Sequence, residues 1–76
     1  MKLAEHLKPG VTVEIQTVQG QTLILGGKGE AHRLEQIDDD EQCLYLQTTV
    51  ATGRLKGQKA RMILPYAAIA AITLPS

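Results

Sequence analysis

The residues best able to do chemistry fall into three groups. They are a basic set (Arg54, Lys56, Lys59 and Arg61), an acidic run (Asp38-Asp39-Asp40-Glu41) and a glycine-rich stretch (Gly26-Gly27-Lys28-Gly29). The basic set is the one cationic cluster of the chain and therefore its natural phosphate contact. Four cations without aromatic neighbours are also what an ordinary solvated loop looks like. The acidic run could offer carboxylates to Mg²⁺ or Ca²⁺, but it lacks the spaced ligands and glycine of a calcium loop, so a solvated turn is expected. The glycine-rich stretch invites a phosphate-loop reading, yet Glu30 stands where the hydroxyl residue belongs, and a bend in a strand is expected instead. His6, His32 and Cys43 lie far apart, without Cys-x-x-Cys or His-x-x-x-His spacing, so no metal is expected. No nucleophile has an identifiable base, and a chain this small leaves little room for a pocket. The reading is therefore of a protein that is not an enzyme and carries no cofactor.

Size and charge narrow the remaining classes. With 76 residues and 43% hydrophobic content, the chain forms one domain, residues 1–76. Such a domain buries only about 60% of the surface its unfolded chain exposes, so its stability margin is thin. One cysteine excludes an intrachain disulfide, which leaves oligomerisation as the expected staple. Eight basic residues balance eight acidic ones, so any nucleic-acid binding must come from a local patch. No apolar run approaches the roughly 20 residues that span a bilayer, and the N-terminus lacks the layout of a signal peptide. Together with the unpaired thiol, this leads to the expectation of a cytoplasmic protein with no membrane partner.

The elements that must position these groups follow from periodicity. Leu3 and Leu7, four apart among charged neighbours, suit a short amphipathic helix over residues 1–8, stopped by Pro9-Gly10. Val11, Val13 and Ile15 alternate with Thr12, Glu14 and Gln16 as a half-buried strand does, and Gln19-Gly20 offers the turn into Thr22 to Leu25. Leu34 and Ile37 are three apart and cannot share a strand face without a bulge, so a helical turn competes there. Gln42 to Thr49 reads as a central strand, with Leu44 and Leu46 on one face and Cys43 and Tyr45 on the other. The segment from Ala51 to Lys59 reads as a mobile basic hairpin loop. Arg61 to Leu64 and Ile69 to Leu74 read as strands meeting at the Pro65-Tyr66 corner. Alanine-rich residues 67–72 favour a helix by propensity, but Pro65 and Pro75 leave too little length for one. The whole is a mostly β chain: a short N-terminal helix followed by a strongly bent five-stranded barrel.

This order of elements resembles the Sm-like (LSm/Hfq-like) family, whose barrel is of the SH3 type. A first Sm motif region (residues 11–49) is echoed by Val11, Val13, Ile15, Gly20, Leu23, Asp40, Leu44 and Leu46. A variable loop follows (residues 50–60). The second motif region (residues 61–74) is echoed by Ile63-Leu64, Ile69 and Ile72, and the ending Ala68 to Ser76 is similar to that of Hfq-like members. The resemblance implies a homo-oligomeric ring of about five to seven subunits, in which the fourth strand of one copy pairs with the fifth of the next. Ile63, Leu64, Ile69, Ala70, Ala71 and Ile72 would then form the subunit interface. It also implies an RNA site at the inner rim, between the acidic turn and the Pro-Tyr corner. There Tyr66 is the residue that could stack on a base and Gln42 the one that could read a base edge, while the family's corner cation is missing.

Two functions are therefore expected. One is a ring that binds single-stranded RNA weakly through Tyr66, Gln42 and the basic loop residues Arg54, Lys56 and Lys59. The other is a structural or protein-interaction ring module that has lost RNA binding.

Overall fold

A computed structural model describes residues 2–75. Met1, expected to open the helix, and Ser76, at the end of the domain, lie outside the described residues. Among the described residues six strands form one sheet: β1 (Val13–Thr17), β2 (Thr22–Leu25), β3 (His32–Asp38), β4 (Cys43–Thr49), β5 (Lys59–Pro65) and β6 (Ile69–Thr73). Their order is β5-β4-β3-β2-β1-β6, so β5 and β6 are the two edges and do not pair with each other. The expected five-stranded closed barrel is thus corrected to a six-stranded open sheet.

The extra strand has a local cause. The expected single bent strand is broken at the glycines into β2 and β3, which touch through one bridge, Leu25 with His32, and a Gly26 N–H to His32 carbonyl bond of 2.9 Å. Gly26 takes a left-handed φ of +73°, and a Cβ there would lie 2.7 Å from the Val11 carbonyl oxygen. Only glycine lets the chain turn this close to the backbone entering β1.

Two bulges reconcile the apolar spacing with the sheet. The β3/β4 register runs from Leu34 opposite Leu46 to Gln36 opposite Tyr45, leaving Glu35 as the extra residue. That single insertion turns both Leu34 and Ile37 toward the core, so the competing helical turn does not form. The β1/β6 register likewise skips Ala70, which brings Ile69 and Ile72 onto the core side.

All six strands feed one core. Val13, Ile15, Leu25, Leu34, Leu44, Leu46 and Leu64 are buried together with Leu3, Leu7 and Tyr66. The sheet must coil for its two ends to reach the same cluster. The expected helix over residues 1–8 is a single 3₁₀ turn, Leu3–Glu5, followed by a Leu7 N–H to Leu3 carbonyl bond of 2.8 Å. Its amphipathic purpose survives the shortening, because both leucines are buried. A second 3₁₀ turn, Tyr66–Ala68, makes the corner between β5 and β6. No helix among the described residues is long and apolar enough to cross a membrane.

Candidate nucleic-acid interface

The expected rim site is a hydrogen-bonded knot. The β3–β4 turn reverses through Gln42, which adopts a left-handed φ of +56°. That conformation aims the Gln42 carbonyl at the Tyr66 N–H (2.8 Å) and its side-chain amide back at the Asp39 carbonyl (2.6 Å). Tyr66 lies beneath, only 4% exposed, and its hydroxyl donates to Asp39 Oδ1 at 2.7 Å. Asp39 accepts further bonds from the Leu3 N–H at 2.8 Å and the Ala4 N–H at 3.2 Å.

The electrostatics agree with this arrangement. The Tyr66 hydrogen bond, assisted by the two backbone donors, holds the Asp39 carboxyl below its ordinary value against the opposing effect of burial. Burial, and then the Asp39 bond, push the Tyr66 phenol well above its ordinary range. The acidic run is therefore more than a solvated turn: Asp39 is a structural acceptor, and Asp38 takes the Glu41 N–H at 3.0 Å. Asp40 and Glu41 are exposed as expected. A base could stack on Tyr66 only if the ring left the core, and the Gln42 amide could donate to a base edge only by releasing the Asp39 carbonyl.

The basic loop occupies residues 50–58, closed by Val50 N–H to Gln58 and Gly57 N–H to Val50 carbonyl bonds of 2.9 and 2.8 Å. Arg54 and Lys56 stand exposed on it, while Lys59 is already the first residue of β5. None of the three makes an ion pair among the described residues, so their charges are open to an anion.

A further constellation was not anticipated as a site. Leu44, Leu46 and Thr48 face inward on β4, which turns Cys43, Tyr45, Gln47 and Thr49 to the opposite side. Pairing then sets Arg33, Gln47 and Arg61 in one row across β3, β4 and β5, with Thr49 beside Lys59 in the next. The Arg61 guanidinium lies over the Tyr45 ring, 5.4 Å from its centroid, and its Nε is 3.6 Å from Glu35 Oε2. The Cys43 thiol raises the Tyr45 phenol above its ordinary value, and burial and the Asp38 and Glu41 carboxylates add to this. The alternation in β4 was legible in the sequence and could have nominated Tyr45 and Gln47. Their union with Arg33 and Arg61 needs the strand register.

The candidate interface residues divide by face. Ile63 on β5 is 59% exposed, and Ala70 and Ala71 on β6 are exposed. Leu64 points into the core, and Ile69 and Ile72 are half-buried against it. Apolar surface also lines a cavity of about 200 Å³ beside β6, formed by Leu3, His6, Leu7, Ile72 and Leu74. Among the described residues no group of His, Cys, Asp or Glu converges as a metal site, and Cys43 is buried. No protein-family model matches the chain, and no curated protein or solved structure is significantly similar to it.

Proposed function

We propose that this protein is an Sm-like subunit of a homo-oligomeric ring that binds single-stranded RNA weakly. The observation that carries the assembly is the pair of open edges on one sheet, β5 and β6. Each edge presents backbone donors and acceptors along one side, and Ile63 adds exposed apolar surface on β5. Pairing of β5 in one copy with β6 in the next is a head-to-tail contact between unlike surfaces. Such a contact closes into a ring when its rotation closes, and about five to seven subunits is the number that the Sm-like resemblance implies. The exposed Ala70 and Ala71 let a neighbour approach β6 closely. The open charges of Arg54, Lys56 and Lys59 support phosphate contact.

One observation favours the second reading, a ring with a structural or protein-binding role. The rim residues that would hold a base, Tyr66 and Gln42, are engaged with Asp39. Light scattering on the full chain, paired with an oligouridine titration at two salt concentrations, separates the outcomes. A closed oligomer that binds supports the first reading, and one that does not bind supports the second. A monomer at micromolar concentration removes both.

A further inference from the structure

The outward face of β3, β4 and β5 combines three things that neither the rim nor the loop offers together: a planar cation over an aromatic ring, a side-chain amide beside it, and two cations without ion-pair partners among the described residues. We infer that this face is a track for single-stranded nucleic acid, with a base stacked on the open side of the Arg61 guanidinium and the adjoining phosphates held by Arg33 and Lys59. The inference rests on the RNA-binding part of the reading above and places the contact away from the rim.

One side of the Arg61 guanidinium is already occupied. Arg61 is held over Tyr45 on one side, and its contact to Glu35 is a single long one, while its side chain remains 64% exposed. A guanidinium anchored in this way offers its other face to a base at little cost in side-chain freedom. Gln47 lies between Arg33 and Arg61 in the same row, and its amide both donates and accepts, as recognition of a base edge requires. Arg33 and Arg61 are two strand spacings apart, about 10 Å, so one nucleotide can be gripped from both sides.

The phosphate end is equally specific. Arg33, Gln47, Thr49 and Lys59 line a polar cavity of about 170 Å³, together with Ala31 and one carboxylate, Glu30. The two cations and the neutral donors there complement a phosphate. An acidic peptide would use the same cations but would have no need of the Tyr45–Arg61 stack or the Gln47 amide, which is why nucleic acid is the better fit.

The test uses the full chain and fluorescence anisotropy with a labelled oligouridine and an abasic strand of equal length. Arg33, Lys59 and Arg61 are exposed, so their substitution leaves the core untouched, as circular dichroism and light scattering should verify. Arg61→Lys keeps the charge and removes the plane. It should weaken oligouridine about tenfold and leave the abasic strand unchanged. Arg33→Ala with Lys59→Ala should weaken both strands and reduce the slope of log affinity against log salt by about 1.4, or roughly 0.7 for each single-strand phosphate. Equal wild-type affinity for the two strands, or an Arg61→Lys variant that binds like wild type, overturns the stacking track. Polyglutamate competing as well as oligouridine also overturns it and identifies an acidic protein partner. An intact ring with no affinity for either strand defeats the RNA reading as a whole. Affinity that disappears in Arg54 and Lys56 variants but persists in the face variants defeats this inference alone.

Discussion

The Tyr66 hydroxyl and the Leu3 N–H both donate to the same oxygen, Asp39 Oδ1, at 2.7 and 2.8 Å. One carboxylate thereby fastens the N-terminal turn, the β3–β4 turn and the β5–β6 corner, three segments remote in sequence. In a domain with so small a core, such a shared acceptor stands in for the cross-link that a single cysteine cannot supply.

Acid should loosen this knot. The folded-state pKa of Asp39 lies below its ordinary value of 3.8. Its contribution to stability is therefore complete above that value and is lost as the pH falls through the lower folded value. The Tyr66 phenol is shifted upward from 10.0, so its contribution is complete below pH 10.0 and fades as the pH rises further. Tyr66→Phe should lower Tm by about 4–8 °C at neutral pH, the effect of removing one hydrogen bond from a domain of this size. Asp39→Asn should flatten the acid limb of a plot of Tm against pH. An unchanged acid limb would show that another carboxylate controls it.

Assembly should depend on β5 more cleanly than on β6. Ile63 is exposed in the protomer, so Ile63→Asp leaves the core intact while placing a charge in the proposed contact. Light scattering should then report a folded monomer. Ile69→Asp should also disperse the proposed ring, but with a loss of protomer stability, because Ile69 packs on the core. A wild-type mass for the Ile63 variant would place the subunit contact elsewhere.

The hairpin cations should add an electrostatic share to binding. Replacing Arg54, Lys56 and Lys59 by Ala should weaken oligouridine and flatten its salt dependence by up to about two in log-log slope, or roughly 0.7 for each phosphate that is no longer neutralised. Titrations at two ionic strengths are sufficient to read it. Equal slopes would leave the loop as plain solvated surface.

Backbone geometry predicts a contrast between two glycines. Gly53 has φ +84° with nothing near the position a methyl group would take, so Gly53→Ala should cost only the left-handed strain, about 1–2 kcal/mol. Gly26→Ala adds a clash with the Val11 carbonyl oxygen and with Thr12, and should exceed that cost by at least about 1 kcal/mol. Urea denaturation of the two variants measures the difference. Equal costs would mean that the entry to β1 yields without penalty.

Much of the framework was legible because it is local. Val13 and Ile15, or Leu44 and Leu46, declare an inward face by simple alternation, while the paired glycines read as a bend in one strand and instead separate β2 from β3. The spacing of Leu34 and Ile37 left a bulge and a helical turn in competition, and the register settles on the bulge at Glu35. Leu3 and Leu7 identified a buried face but overstated the length of the helix that carries it. Periodicity records which side of an element is apolar, while its extent depends on what it packs against.

The site residues were less legible because their environments are made by partners distant in the chain. Tyr66 reads as a stacking ring by type, yet burial and its bond to Asp39, 27 residues away, give it a structural task. Arg61 reads as one loop cation among four, yet the β4–β5 register places it beside Gln47 and over Tyr45. Inward faces and most turns could be read from the chain alone, since they follow from the period of apolar residues and the backbone limits of Gly and Pro, whereas the division of one expected strand into β2 and β3 could not. The open edges at β5 and β6, the carboxylate that joins three segments and the cations that share a face could not. Each of those facts is a relation across space, set by strand order and register, which bring together residues that no local period relates.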